Sequence, residues 1–246
     1  METEAAGLAG HLYDFWSFVH SSSWLGGTRE YSRLNEAFPY WLNGLVPLAY
    51  TLDDARLKDQ VHEAVDYVLE HEVAADGWIG PEVGGYRLLW ARTLMFLAFT
   101  NLADANETYQ EPIVRVMHNF NTLMNSMLKN NGTGLVQQRN DVLDEGYYFW
   151  FLSRTHEMII SLQWLYDKYP QGQEQMLLEN MQMLHDYGYK WEGWFTNQSY
   201  AFKDLYDLPA SVTDDQFQFL HGVNVGEGGS YMRALQRYQL TVPSQA

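Results

Sequence analysis

Apolar residues recur at helical spacing along most of the chain. The clearest case is a helix that begins near Glu36 and ends at the turn formed by residues 51–54. Its apolar positions are Leu42, Leu45, Leu48 and Ala49. A second helix begins at this turn and ends near Glu72, with apolar residues on one side only. An aromatic, glycine-rich loop follows and closes at Pro81. Helix, short turn, helix and tryptophan-bearing loop form one unit, which the pattern predicts to repeat.

The rest of the chain continues this alternation of apolar and amphipathic helices. A helix with apolar residues on nearly all sides is predicted from about Tyr86 to Leu102, and we expect all its faces to be buried. Its amphipathic partner ends at about Lys129. Pro47 is expected to kink the first strong helix or to loosen one of its turns. Further helices are predicted over about 4–20, 149–169, 172–187 and 214–237, with an irregular loop over about 135–148.

The alternation, together with the near absence of strand signals, predicts an all-α fold. Starting points near Trp41, Ala91 and Arg154 place the apolar helices in an inner ring and the half-apolar helices in an outer ring. This arrangement fits an (α/α) toroid, in which we expect the loops at one end to gather around a central hollow. We expect one domain over residues 1–246, although the length also allows two small ones.

Charge and composition narrow the classes of partner. The net charge of −16 argues against nucleic acid and anionic membranes. An aromatic fraction of 15% suits carbohydrate binding, because sugar rings stack on indoles, but a large aromatic core explains it equally well. No cysteine is present, so these residues supply no thiolate metal site and no cysteine nucleophile. The apolar run from Leu88 to Ala103 is short and contains Arg92, which favours a buried helix over a membrane span.

The sequence leaves localisation open. The N-terminal residues Met1-Glu2-Thr3-Glu4 show neither the basic nor the apolar region of a secretory signal. Three glycosylation sequons, at Asn106, Asn131 and Asn197, are close to chance frequency and are weak evidence for secretion. A cytoplasmic location and secretion as part of a longer precursor both fit.

Several motifs together resemble glycoside hydrolase family 127, the β-L-arabinofuranosidase-like group. They are Trp24-Leu25-Gly26-Gly27, Glu30-Tyr31-Ser32, Asn35-Glu36-Ala37-Phe38-Pro39-Tyr40-Trp41-Leu42-Asn43-Gly44, Asp76-Gly77-Trp78-Ile79-Gly80-Pro81 and His221-Gly222-Val223-Asn224-Val225. The resemblance extends over nearly all of the chain. The two longest motifs are specific, whereas the last would be weak alone.

The resemblance implies an (α/α)6 barrel with an active site at one mouth. It also implies a retaining hydrolase with a cysteine nucleophile, a zinc ion held by cysteines and a glutamate, and a separate glutamate as acid/base. The chain resembles the N-terminal two-thirds of that catalytic domain, so we expect a barrel that is incomplete on its C-terminal side. We expect no zinc or other cofactor in this chain, since the family's nucleophile and ligands have no counterpart among these residues.

Two candidate substrate-binding residues come from the last motif. The resemblance implies that His221 points at the sugar; the alternative is a loop histidine bonded to the backbone. Asn224 has weaker support and can equally cap a turn. We predict that His221, Asn224 and Trp78 gather at one end of the toroid, near Glu36 or Trp41.

Five further candidates lie earlier in the chain, and each has a structural alternative. Trp78 stacks on a sugar or plugs the barrel end. Trp41 and Trp90 begin presumed inner helices, where core packing is the alternative. Glu36 bonds a sugar hydroxyl or favours a helix N-terminus. Arg154 contacts substrate or, as is commoner, is buried with a carboxylate partner.

These observations predict a glycoside hydrolase-like domain that acts on or binds arabinofuranosides or related plant-type sugars. One alternative is a catalytically inactive carbohydrate-binding remnant, which the absence of cysteine favours. Another is a helical-repeat protein that binds a peptide in its hollow. An incomplete barrel would leave inner-helix surface exposed, so self-association is a further expectation.

Overall fold

The fold is known from a computed structural model that describes residues 1–32, 34–82, 86–135, 137–138, 147–148 and 150–188. These residues are mostly helical, so the predicted all-α class is confirmed. Two compact units divide after Met127, and each is described by itself.

Ten α-helices run through the described residues. They are α1 (Glu2–Ala6), α2 (Leu8–Phe15), α3 (Ser17–His20), α4 (Ala37–Leu52), α5 (Ala55–His71), α6 (Trp90–Ala105), α7 (Gln110–Lys129), α8 (Trp150–Ser153), α9 (Thr155–Lys168) and α10 (Glu174–Tyr187). Two 3₁₀ turns, Ser23–Leu25 and Glu107–Tyr109, precede α4 and α7 respectively. Within the predicted irregular loop, β1 (Gln137–Gln138) pairs with β2 (Tyr147–Tyr148) in an antiparallel ladder.

The single helix predicted over residues 4–20 is wrong, because this segment forms three short helices. The backbone is extended at Gly7 and at Trp16, which ends α1 and α2. At Gly10, α2 lies so close to Ala5 that a Cβ on residue 10 would overlap the Ala5 carbonyl oxygen. The break therefore lets the segment fold back on itself.

Helices α4 and α5 form the first pair and match the predicted bounds. Asp53 adopts the left-handed conformation at the end of α4, and the side chain of Asp54 accepts from the backbone N–H of Leu57 at 3.0 Å. Helix α4 is buried on most sides, whereas α5 buries one stripe. Helix α4 continues through Pro47, whose side chain is exposed, and the expected kink or loosened turn there stays a prediction.

Helix α6 is buried along almost its whole length and packs against α4. It begins at Trp90 rather than near Tyr86. The residues just before it belong to the loop between α5 and α6, in which the carbonyl of Leu88 accepts a hydrogen bond from Arg92. Its partner α7 ends at Lys129 as predicted. The ring of Phe120 on α7 meets that of Phe96 on α6 edge-on, with centroids 4.9 Å apart.

In the second unit, α9 and α10 form a pair of the same kind. The predicted helix over 149–169 is interrupted at Arg154, where α8 gives way to α9. Helix α9 is mostly buried, while α10 buries one stripe that includes Leu177, Met181 and Leu184. Buried and half-exposed helices thus alternate from α4 to α10, apart from the single-turn α8, as the apolar pattern predicts.

Candidate functional site

Glu36 is a buried carboxylate at the N-terminal end of α4. It is only 7% exposed and makes no side-chain cap to its own helix. Its Oε1 accepts hydrogen bonds from the Tyr31 hydroxyl and, at 3.3 Å, from the Ser32 hydroxyl. Its Oε2 accepts from the indole Nε1 of Trp90 at the start of α6. The two apolar helices therefore bring together two of the predicted site residues, Glu36 and Trp90.

Exposed tyrosine rings lie beside this carboxylate. Tyr31 is 52% exposed and Tyr40, one helical turn after Glu36, is 41% exposed. The ring of Tyr31 stacks with Trp16 at 6.3 Å and meets Phe18 edge-on at 6.2 Å. Partial burial, followed by the hydrogen bond to Glu36, raises the pKa of Tyr31 above its usual range. Its hydroxyl is therefore a donor at neutral pH.

Arg92 is fully buried between two tryptophan rings. Its guanidinium carbon lies 5.0 Å from the ring centroid of Trp24 and 4.2 Å from that of Trp78. The guanidinium donates to the carbonyls of Ile79 (2.8 Å), Leu88 (3.1 Å) and Pro81. Burial lowers the pKa of Arg92 to about 9, so the group stays protonated at neutral pH.

Trp78 lies inside this stack. It is 2% exposed, and the guanidinium of Arg87 also lies over its ring, at 5.2 Å from the centroid. Arg87 is held in turn by the carboxylates of Asp76 and Glu82. The structure therefore shows Trp78 covered by two arginines and Phe120, with no open ring face for a sugar in this conformation.

Trp41 is also buried, in the aromatic packing between α4 and the N-terminal segment. Its ring stacks on Tyr13 at 5.4 Å and lies 5.5 Å from Phe38. The indole nitrogens of Trp41 and Trp78 are both buried, with no hydrogen-bond acceptor among the residues that the structure describes.

The remaining described candidate, Arg154, belongs to the second unit. It is 4% exposed at the N-terminus of α9, and its Nη1 lies 3.8 Å from Oε1 of Glu157. Arg154 is therefore buried with a carboxylate partner, which is the structural alternative that the sequence offered for this residue. His221 and Asn224 lie outside the described residues, so the predicted gathering of Trp78 with these two residues stays a prediction.

Sequence reasoning did not select Tyr31, Ser32, Trp24 or Arg92 as site residues. Tyr31 and Ser32 lie five and four residues before Glu36, respectively, but helical periodicity does not predict which loop side chains contact the start of a helix. Arg92 had a clear signal, since it is a charged residue inside an apolar run. A buried arginine requires carbonyl or aromatic partners, and the glycine–tryptophan loops are rich in both.

The zinc centre of the resembling family does not fit these residues. The chain has no cysteine, and the described residues contain no cluster of three His, Cys, Asp or Glu side chains that could hold a metal ion. Among the same residues, no helix is long and apolar enough to cross a membrane.

Comparison with family models, curated proteins and solved structures finds no match to this chain.

Proposed function

We propose that this chain is a glycoside hydrolase-like domain of the family 127 type. It binds arabinofuranosides or related plant-type sugars at the Glu36 end of α4 and α6. The observation that carries the proposal is the buried Glu36 carboxylate, which is held by Trp90 and Tyr31 and flanked by exposed tyrosine rings.

The helix pattern supports the toroidal part of the proposal. Three helix pairs each combine a mostly buried helix with a half-buried one, namely α4 with α5, α6 with α7, and α9 with α10. The buried helices α4 and α6 pack against each other, as neighbouring inner helices of a toroid do. Ligand sites of such folds lie at a helix-end mouth, and Glu36 and Trp90 both stand at helix starts.

The chemistry at Glu36 suits a neutral polyol. A carboxylate offers about four acceptor positions, and the three donors here use two on Oε1 and one on Oε2. The fourth position, on Oε2, accepts a sugar hydroxyl. The exposed faces of Tyr31 and Tyr40 stack against the C–H face of the sugar ring.

These residues favour sugar binding without the covalent catalysis of the family. A thiolate nucleophile is impossible in a chain without cysteine. The inactive carbohydrate-binding remnant is therefore the candidate most consistent with this chain. A peptide in the hollow is the competing ligand class.

Calorimetric titration with methyl β-L-arabinofuranoside and L-arabinose tests the proposal, with an unrelated extended peptide as the competing ligand. We expect saturable binding of a sugar, weakened about tenfold or more by Glu36→Gln and by Tyr40→Ala, because each loses one direct contact. Tyr40 is 41% exposed, so its replacement removes comparatively little buried surface. Glu111→Gln, an exposed carboxylate on α7, is the matched control and should bind normally. Absence of sugar binding, or equal binding by all variants, would overturn the proposal.

A further inference from the structure

Arg92 is a charge that the fold buries at considerable cost. Desolvating a guanidinium is unfavourable unless polar groups replace the lost water. Here the replacements are the three backbone carbonyls of Ile79, Pro81 and Leu88 and two indole faces; no carboxylate of the described residues is hydrogen-bonded to it. These carbonyls and rings therefore set the position of the guanidinium.

One line of contacts runs from Arg92 to the backbone just before Glu36. The guanidinium lies over the ring of Trp24, whose Nε1 donates to the carbonyl of Asn35 at 2.7 Å. Asn35 has a left-handed backbone, with φ of 54°, so its conformation needs support from outside. Its peptide leads directly into Glu36.

A second line runs through α6. Arg92 lies two residues after Trp90, and its Nη1 donates to the carbonyl of Leu88, two residues before Trp90. It therefore ties the first turn of α6 to the loop of Ile79 and Pro81. Trp90, held in this turn, donates to Oε2 of Glu36.

We propose that Arg92 is a positioning residue for Glu36. It holds the Asn35–Glu36 backbone through Trp24 and holds Trp90 through the first turn of α6, so that the indole and the carboxylate meet. The ligand part of this inference rests on the proposed function; the positional part does not.

Lysine cannot replace arginine in this role. A planar guanidinium stacks between two rings and sends donors in several directions within its plane, whereas an ammonium is a compact, strongly hydrated charge. Arg92→Lys keeps the charge and most of the volume. It removes the bond to at least one of the three carbonyls together with the double stacking.

The test is the indole N–H resonance of Trp90 in the ¹⁵N-labelled full chain, assigned by its loss in Trp90→Phe. We expect Arg92→Lys to move this resonance upfield, since the bond to Glu36 lengthens. Sugar affinity should fall about tenfold, as for loss of one well-placed hydrogen bond. Trp24→Phe keeps an aromatic ring but removes the donor to Asn35, so it should shift the same resonance in the same direction. It tests the inference independently should Arg92→Lys fail to fold.

The control is Leu102→Ala at the other end of α6. Leu102 is fully buried, so its truncation destabilises the chain, but it lies about 18 Å along the helix from Trp90. We expect its Trp90 resonance and sugar affinity to match the unmodified chain. An unchanged resonance in both Arg92→Lys and Trp24→Phe, or an equal shift in Leu102→Ala, would overturn the inference. If the unmodified chain binds no sugar but Arg92→Lys shifts the resonance, the proposed function fails and the positioning role stands.

Discussion

Gly80 has no side chain because the ring of Trp24 occupies the space where a Cβ would lie. Its φ of 76° is also in the left-handed region, which side chains disfavour. Both requirements are linked to Arg92, which lies over the Trp24 ring and donates to the carbonyls of Ile79 and Pro81 on either side of Gly80. At the scale of single residues, the packing of Trp24 and Arg92 therefore requires a glycine at position 80.

We expect Gly80→Ala to lower the free energy of unfolding by about 2 kcal/mol or more, from backbone strain and overlap with a ring that cannot move aside. Gly44→Ala is the matched control. Gly44 lies within α4, and a Cβ there meets no atom within 4 Å, so alanine should stabilise the chain by about 0.5–1 kcal/mol. Urea unfolding followed by circular dichroism measures both. A Gly80→Ala chain as stable as the unmodified one would contradict the proposed packing.

At the scale of elements, the start of α5 is set by Asp54. The Asp54 carboxylate accepts from the backbone N–H of Leu57, which is otherwise left without a partner in the first turn. We expect Asp54→Ala to cost about 1 kcal/mol of stability. Asp59→Ala, at an exposed position within the same helix, should change stability by less than about 0.5 kcal/mol. Equal losses from the two substitutions would show that the cap contributes nothing.

The loop between α5 and α6 depends on pH through Asp76. The hydrogen bond from Arg87 holds the pKa of Asp76 below its usual range, and the N–H of Trp78 contributes. A lowered folded-state pKa means that this stabilisation is complete above the unfolded value of about 3.9. It is then lost as the pH falls through the lowered value.

We therefore expect Asp76→Asn to be less stable than the unmodified chain at pH 7, by at most about 1 kcal/mol because the pair is largely exposed. The difference should disappear in strongly acidic solution. Urea unfolding at a series of pH values measures it, with Asp59→Asn as the exposed control. A stability gap that stays constant as the pH falls would rule out the ion pair as its cause.

At the scale of the whole molecule, the absence of cysteine decides what chemistry to expect. We predict that the purified chain shows little or no hydrolysis of a nitrophenyl β-L-arabinofuranoside and contains no stoichiometric zinc by elemental analysis. Robust turnover that is abolished by Glu→Gln at a single glutamate of the chain would refute this prediction. It would mean that the chain uses a two-carboxylate site of its own.

Self-association stays a prediction, and sedimentation velocity tests it. An incomplete toroid exposes inner-helix surface, so we expect a concentration-dependent dimer or larger species. A monomer at all concentrations would count against the incomplete barrel.

The sequence by itself determined the helical class, the bounds of α4, α5, α7 and α10 and the alternation of buried and half-buried helices, because these follow from local periodicity and capping. It also marked Glu36 as a site candidate through the motif resemblance, and Trp90 because it begins a presumed inner helix. Only the tertiary structure decided that these two side chains are bonded, although 54 positions separate them.

The two breaks within the predicted 4–20 helix could likewise not be predicted from periodicity, since the extended residues Gly7 and Trp16 interrupt an apolar pattern without altering it. Trp78 shows the same limit. Its motif predicted either a sugar contact or a plug at the barrel end, and in the structure Arg92 and Arg87 enclose its ring. The sequence could not decide between the two, because cation–π packing between distant residues leaves no trace in local spacing. Local periodicity and capping determine where each helix begins and ends. Contacts between residues distant in the sequence determine the positions of the Glu36 carboxylate, of its donor Trp90 and of Arg92.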